Sequence, residues 1–246
     1  MTVESNFIEQ SQYAAHPEQM AGRGRRPALD PRDRRFLAKP PTYIEIGRRS
    51  MHWIMPRALD QANTPHCVGY GWTGFLLASP IKNNPFESAD DLYFDAQKVD
   101  EWEGEDYDGT SVRAGAKVLQ AHGLLSTYEW SFNLDGLIRQ VLSKSPVVVG
   151  TDWNWAMDET FVFEKQVFIK RGGGVAGGHC YVIKGVNLDH ACHCGEPGAV
   201  RMQNSWSDEW GDKGHAWICL KDMDSLIANW GEVCIANELK FAPQTV

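Results

Sequence analysis

Pro146 divides this chain by the spacing of its apolar residues. Before it, Leu134, Leu137, Ile138, Val141 and Leu142 recur at i, i+3, i+4, i+7 and i+8, which is one buried face of a helix over 134–144. A proline has no N–H to donate and its ring collides with the preceding turn, so the helix stops there. The stretch it opens, PVVVGTDW, reads as a strand. Strand signals then dominate in GHCYVIKGVN, AVRMQNSW, GHAWICLK and EVCIANELKF, separated by Gly-rich or charged turns. Upstream, DGTSVRAGAKVLQAHG (108–123) predicts a helix with Asp108 or Thr110 as cap and Gly123 as stop. The layout is helical first and β-rich later, an α+β chain in two lobes.

A chain of 246 residues can bury a core without help from disulfides. Its 24 Lys+Arg against 32 Asp+Glu give a formal charge of −8, which argues against nucleic acid or an anionic membrane as partner. MTVESNFIEQ shows no secretory signal, and no run is long enough to span a bilayer. The six cysteines, at 67, 180, 192, 194, 219 and 234, are too few and too scattered for a disulfide framework. They predict reduced thiols and a cytoplasmic or otherwise intracellular protein.

Residues 1–41 form an arm of different composition. QMAGRGRRPALDPRDRRFLAKPP is rich in Arg, Pro and Gly, and with seven basic against five acidic residues the arm is +2 and the remainder −10. Such a segment does not fold alone. It predicts either a disordered tail or a basic arm that orders on a protein partner or on its own acidic body. ADDLYFDAQKVDEWEGEDYD (89–108) has the opposite bias, nine acids and one lysine, and reads as a solvated loop or helix face.

A thiol that cleaves an amide needs a setting that holds it as thiolate, a proton donor for the leaving amine, and N–H donors for the oxyanion. Cys67 follows Pro65 and His66, and Val68, Trp72, Phe75 and Leu76 form the apolar face of a helix opening at the cysteine. The positive end of that helix lowers a thiol's pKa. Gly69, Gly71 and Gly74 each weaken the helix by about 1 kcal/mol relative to Ala, which tight packing against a neighbour would explain.

With GGHCYVIKGVN and MQNSWSDEWGDKGHAWI, the chain resembles the papain-like cysteine peptidases. That family has a Gln six residues before its nucleophilic Cys, a His opening a strand in a "GHA…GY" setting, and an "NSWG…WG…G" signature. Gln61, Cys67, His179 and Asn204 stand at the matching positions. Cys67 lies 112 residues before His179 and 137 before Asn204, against roughly 130 to 150 for both partners in well-known members. The resemblance runs from about Arg57 to the C-terminus. It implies a papain-like two-lobed fold: a helical left lobe (about 58–127) and an antiparallel β-barrel-like right lobe (about 128–246) within a catalytic domain 42–246, with the cleft between.

The roles implied are Cys67 as nucleophile, His179 as its ion-pair partner and general acid, and Asn204 as the residue orienting the imidazole. Trp206 shields the His–Asn bond, while the Gln61 side chain and the Cys67 N–H form the oxyanion hole. Peptide or protein is the substrate class, with no cofactor and no metal. Three departures stand out: Val68 where the family usually has Trp, Ser207 where it has Gly, and Thr64 where secreted members carry a disulfide cysteine, in keeping with a reduced compartment. The arm is also shorter than the family's inhibitory propeptide and lacks its long helix, so control by zymogen processing is not expected of it and a docking role is.

Three other readings compete. His190-Ala-Cys192-His193-Cys194 offers four soft ligands in five residues, but structural zinc sites use two separated pairs and no second pair is apparent. A papain-like fold kept as a binding or assembly component would need no turnover. An amidase acting on cell-wall crosslinks would share the mechanism and differ in substrate.

Overall fold

A computed structural model describes residues 22–28 and 30–237. The first part of the arm and the end of EVCIANELKF lie outside the described residues. The helices are α1 (Tyr43–Ile46), α2 (Cys67–Leu77), α3 (Ala89–Gln97), α4 (Val112–Ala121), α5 (Leu134–Ser143) and α6 (Leu220–Ala228). The strands are β1 (Ser50–His52), β2 (Thr127–Ser131), β3 (Val147–Asn154), β4 (Phe161–Phe163), β5 (Gln166–Ile169), β6 (Val175–Asn187), β7 (Ala199–Gln203), β8 (His215–Cys219) and β9 (Glu232–Asn237). Among the described residues, no helix is long and apolar enough to cross a membrane.

Local chemistry sets the helix ends. Asn133 accepts from the Gly136 N–H and so caps α5, and Ser111, not Asp108 or Thr110, caps α4 by accepting from the Ala114 N–H. Ser88 and Asp91 close a capping box on α3, which turns the first part of the acidic run into a helix.

The strands form one open sheet in the order β2-β9-β3-β6-β7-β8-β5-β4, with β1 against the end of β6. All pairs are antiparallel except β5 with β8. Because alternate residues of a strand face opposite ways, the central strands feed two separate cores. Val148, Cys180, Val182, Cys234 and Ala236 pack with Val68, Trp72, Leu119 and the rest of the helical side. Their neighbours Val147, Val149, Tyr181, Ile183, Val233 and Ile235 pack under α5 and α6. Burial on both faces explains the unbroken apolar run after Pro146. Two of the three glycines of α2 answer to close packing: a Cβ on Gly69 would lie 2.3 Å from Ala89 O and one on Gly71 would lie 2.8 Å from Cys180 Sγ, whereas one on Gly74 would meet nothing nearer than 3.6 Å.

Part of the arm is built into this body. Residues 24–26 bridge to Thr110, the Asp33 carboxylate pairs with Arg113, Leu37 bridges to Trp130, and Arg139 donates to the carbonyls of Pro40 and Pro41. The described residues of the arm, 22–28 and 30–41, thus make contacts with the chain's own body.

One expectation is overturned. Cys192 and Cys219 form a disulfide, with Cα atoms 6.0 Å apart. Cross-links of this kind persist in oxidising compartments, so the reading of an intracellular chain with no disulfide framework does not hold, and the cysteine-free position at Thr64 carries no such meaning. The pairing closes 27 residues across β7 and β8. Ligand atoms of Cys192, His193 and Cys219 lie within 4.8 Å of one another, but with two of the sulfurs joined in the disulfide they offer no thiolate to a metal. Replacing Cys219 by alanine is expected to lower the unfolding free energy by roughly 2–4 kcal/mol on loop-closure grounds, measured by urea denaturation of both chains without reductant.

Candidate active site

Cys67 is the first residue of α2, and the loop that delivers it is tied down on both sides. Gln61 N–H donates to Ser205 O (2.8 Å), Ser207 N–H to Leu59 O (3.0 Å), and Asp60 bridges Trp206. His66, just before the cysteine, stacks on Tyr93 with centroids 3.9 Å apart, and its Nδ1 lies 2.7 Å from Asp90 Oδ1. These contacts fix the start of α2 against the chain segment that leaves β7.

His179 lies within β6, opposite Thr151 of β3, and Asn204 comes directly after the last residue of β7. His179 Nε2 is 2.7 Å from Asn204 Oδ1, which also accepts from the Ser205 N–H at 2.8 Å. An amide oxygen only accepts, so Nε2 carries the proton and Nδ1 is the basic nitrogen of the neutral ring. Nδ1 is buried and has no hydrogen-bond partner. Trp153 and Trp206 flank the ring at centroid distances of 4.7 and 5.1 Å. The Cys67 sulfur lies against the backbone N–H of Cys180, the residue next to His179. Gln61 joins this group by accepting from Ser205 Oγ, while its Nε2 donates to Thr64 O (2.8 Å). Gln61, His179, Asn204 and Trp206 are thus joined through Ser205 and ring contacts, while Cys67 reaches this group through Cys180, the neighbour of His179, with no hydrogen bond between its sulfur and the imidazole.

The thiol is not open to solvent. Cys67 is 0% exposed because the arm residues Gly22–Arg26 lie across it. The N–H groups of Gly24 and Arg25 donate to Gly178 O on the sheet side (3.1 and 3.0 Å). On the helical side Thr110 N–H donates to Gly24 O (2.9 Å) and Arg26 N–H donates to Thr110 O (2.8 Å). Fit requires glycine: a Cβ on Gly24 would lie 1.8 Å from Pro65 O, and one on Gly178 would lie 2.0 Å from Arg25 O. Trp206 donates its indole N–H to Gly22 O (2.9 Å), Arg23 pairs with Asp158, and Arg26 lies over the rings of Trp102 and Tyr107.

Burial reverses the electrostatics expected at a helix start. It pushes the Cys67 thiol up to about 12, although the N–H groups of Cys180, Gly24 and Arg25 pull the other way. Burial also pushes His179 down to about 4, with the Asn204 bond opposing it, Arg23 adding to it and Asp158 opposing it. In this closed form both groups are neutral at pH 7.

His179 makes the closed form sensitive to pH. Its closed-form pKa is depressed from about 6.5, so the closed form holds fewer protons than an opened one between pH 6.5 and 4, and acid favours opening. The contribution reaches on the order of 3 kcal/mol at the low end. Glu232, which burial holds above the usual carboxylate range, acts in the opposite sense. Amide exchange at Gly24–Arg26, corrected for intrinsic rates, is expected to speed up from pH 6.5 to 4 more in the native chain than in His179→Asn; equal profiles would remove the histidine from the account.

No protein-family model matches the chain, and no curated protein matches it. Solved structures do. Xylellain, a cysteine protease from Xylella fastidiosa, matches at TM-score 0.64 and 17% identity, over 91% of this chain and 97% of its own. Digestive procathepsin L 3 of Tenebrio molitor larval midgut matches at 0.61 and 13%, over 94% and 79%. Recombinant stem bromelain precursor matches at 0.60 and 14%, over 89% and 78%. The chain has the papain-like fold. Its departures from the papain-like pattern have local reasons. Val68 is buried in the core of the helical side, and Ser207 holds φ +62°, the left-handed backbone for which glycine is the easier choice. Sequence reading missed Asp158, Glu232 and Trp230, which hold the arm and belong to no motif.

Proposed function

We propose that the chain is a cysteine peptidase, held closed by its own residues Gly22–Arg26. Cys67 attacks the substrate carbonyl as thiolate once the arm has left and water has entered the cleft. His179 Nδ1 takes the thiol proton and returns it to the leaving amine, so that a thioester forms and the amine departs neutral. Water then attacks the thioester with His179 as base, releasing the acid and restoring the thiol. Asn204 holds the imidazole by Nε2, Trp206 and Trp153 keep water from that bond, and the Cys67 N–H with the Gln61 amide meets the oxyanion.

The observation that carries this reading is the buried, unpartnered Nδ1 of His179, with Nε2 engaged by Asn204, one residue along β6 from Cys180, whose backbone N–H faces the Cys67 sulfur at a helix start. Packing alone gives no reason to leave a ring nitrogen without a partner. Two of the structural neighbours are named as precursors, a procathepsin and a bromelain precursor, which accords with a chain seen closed. The test is peptide hydrolysis by an arm-displaced chain, with and without the thiol and the imidazole: cleavage is expected only where both are present.

A further inference from the structure

The disulfide of the β-rich side is closed to solvent. Cys192 and Cys219 are 6% and 0% exposed, in a small core with Phe168, Ala199 and Trp217 on which Phe161 and Phe163 pack. A thiol in solution has no path to either sulfur while that core holds. Cys194 does reach it: its Sγ stands 3.2 Å from Cys192 Sγ, and it is a free, half-exposed thiol. A tight turn puts it there. Gly195 N–H donates to Cys192 O at 3.0 Å, and Gly195 takes φ +82°, so the chain folds the Cys194 side chain back over Cys192. On its other side Cys194 meets the Glu196 carbonyl, 3.6 Å from its sulfur.

The residue between the two cysteines of the turn adds a proton carrier. A ring nitrogen of His193 lies within 4.8 Å of both bonded sulfurs, and its Nε2 is buried with no hydrogen-bond partner. Phe161 and Phe168 stand edge-on to this ring at centroid distances of 4.9 and 5.6 Å. In such apolar surroundings a sulfur released as thiolate is costly and needs a proton at once.

We propose that Cys194 is a thiol–disulfide exchange site, the port through which small thiols outside the protein reach the buried Cys192–Cys219 bond. Cys194 gives its proton to water and attacks Cys192 Sγ as thiolate. A Cys194–Cys192 bond forms and the Cys192–Cys219 bond breaks. The electron pair leaves on Cys219 Sγ, which takes a proton that His193 carries in from water. Nothing is oxidised or reduced in this step; the cross-link moves from a buried pair to a half-exposed turn, whose two cysteines lie within the Cα separation that a disulfide accepts. An external thiol then attacks Cys194 Sγ, forming a mixed disulfide there and freeing Cys192. A second equivalent frees Cys194, so two electrons pass from two thiols to the cross-link, and the end of β8 is released from the turn. The proposal is independent of the peptidase reading.

The full chain is treated under native conditions with 2-mercaptoethanol in degassed buffer, quenched with acid at intervals, and mapped by mass spectrometry for intact Cys192–Cys219 and for the position of the mercaptoethanol adduct. Loss of the cross-link is expected to be about 100-fold slower in Cys194→Ser than in the native chain, because the neighbouring thiol is held in place and the solution thiol is shut out. The first adduct of the native chain is expected on Cys194, the one sulfur of the three that direct attack on the cross-link would leave bare. Blocking Cys194 with iodoacetamide in the native chain is expected to slow the loss as the substitution does, which keeps the test intact if Cys194→Ser does not fold. Equal rates in the native and blocked chains, or first adducts on Cys192 or Cys219, overturn the proposal.

Discussion

Gly24→Val in the full chain is expected to raise the rate of Cys67 alkylation by iodoacetamide at pH 7 by about 10³-fold or more. In the closed form the thiol is pushed up to about 12 by burial, so the reactive thiolate is about one part in 10⁵; a hydrated thiol near pKa 9 is about one part in 10². The valine Cβ has no place 1.8 Å from Pro65 O, and that oxygen belongs to backbone anchored by His66 on Tyr93 and Asp90. The arm, not the body, gives way. Once water returns, the helix start and a protonated His179 both favour the thiolate, so the gain exceeds the figure from hydration alone. A Gly24→Val chain whose amide exchange proves residues 22–26 to be open, yet whose thiol reacts no faster, would show that something other than the arm suppresses the sulfur.

In that opened chain, Cys67→Ser and His179→Ala are each expected to lower kcat/KM for peptide cleavage on the order of 10⁴-fold, and the double variant is expected to fall no further than the worse single one. A serine hydroxyl is a far weaker acid than a thiol, and a lone imidazole without its thiolate has nothing to relay. Each group works only through the other, so their losses do not add. His179→Ala with near-native turnover would refute the assignment, and two losses that multiplied would mean the groups act separately.

Helix α5 could be read almost residue by residue because its cap, its period and its stopping proline all act within the segment. The candidate site residues come from a family pattern rather than from local periodicity: Gln61 stands six residues before Cys67, the 112-residue gap to His179 is shorter than the pattern, and distance along the chain says nothing of the contacts they make. What escaped reading depends on long-range contacts. The strand GHCYVIKGVN reads as starting at Gly178, yet β6 begins at Val175, and at Gly178 the missing Cβ admits the arm. The acidic run reads as solvated, but Asp100 accepts from Tyr107 and Thr110, and Trp102 and Tyr107 cradle Arg26. Cys192 and Cys219 become partners only through the β7–β8 register. The direction of the Cys67 shift was misjudged because the helix start is visible in sequence and the lid of residues 22–26 is not.

Two kinds of sulfur chemistry share this chain. Cys192 and Cys219 are oxidised, and Cys194 Sγ sits half-exposed 3.2 Å from Cys192 Sγ, within reach for exchange. Surroundings that preserve that cross-link also drive a bare low-pKa thiolate towards sulfenic and sulfinic acid. Tucked beneath glycine and arginine as a neutral thiol, Cys67 is shielded from that oxidation, so the covering strand also acts as an antioxidant wrapper for the sulfur.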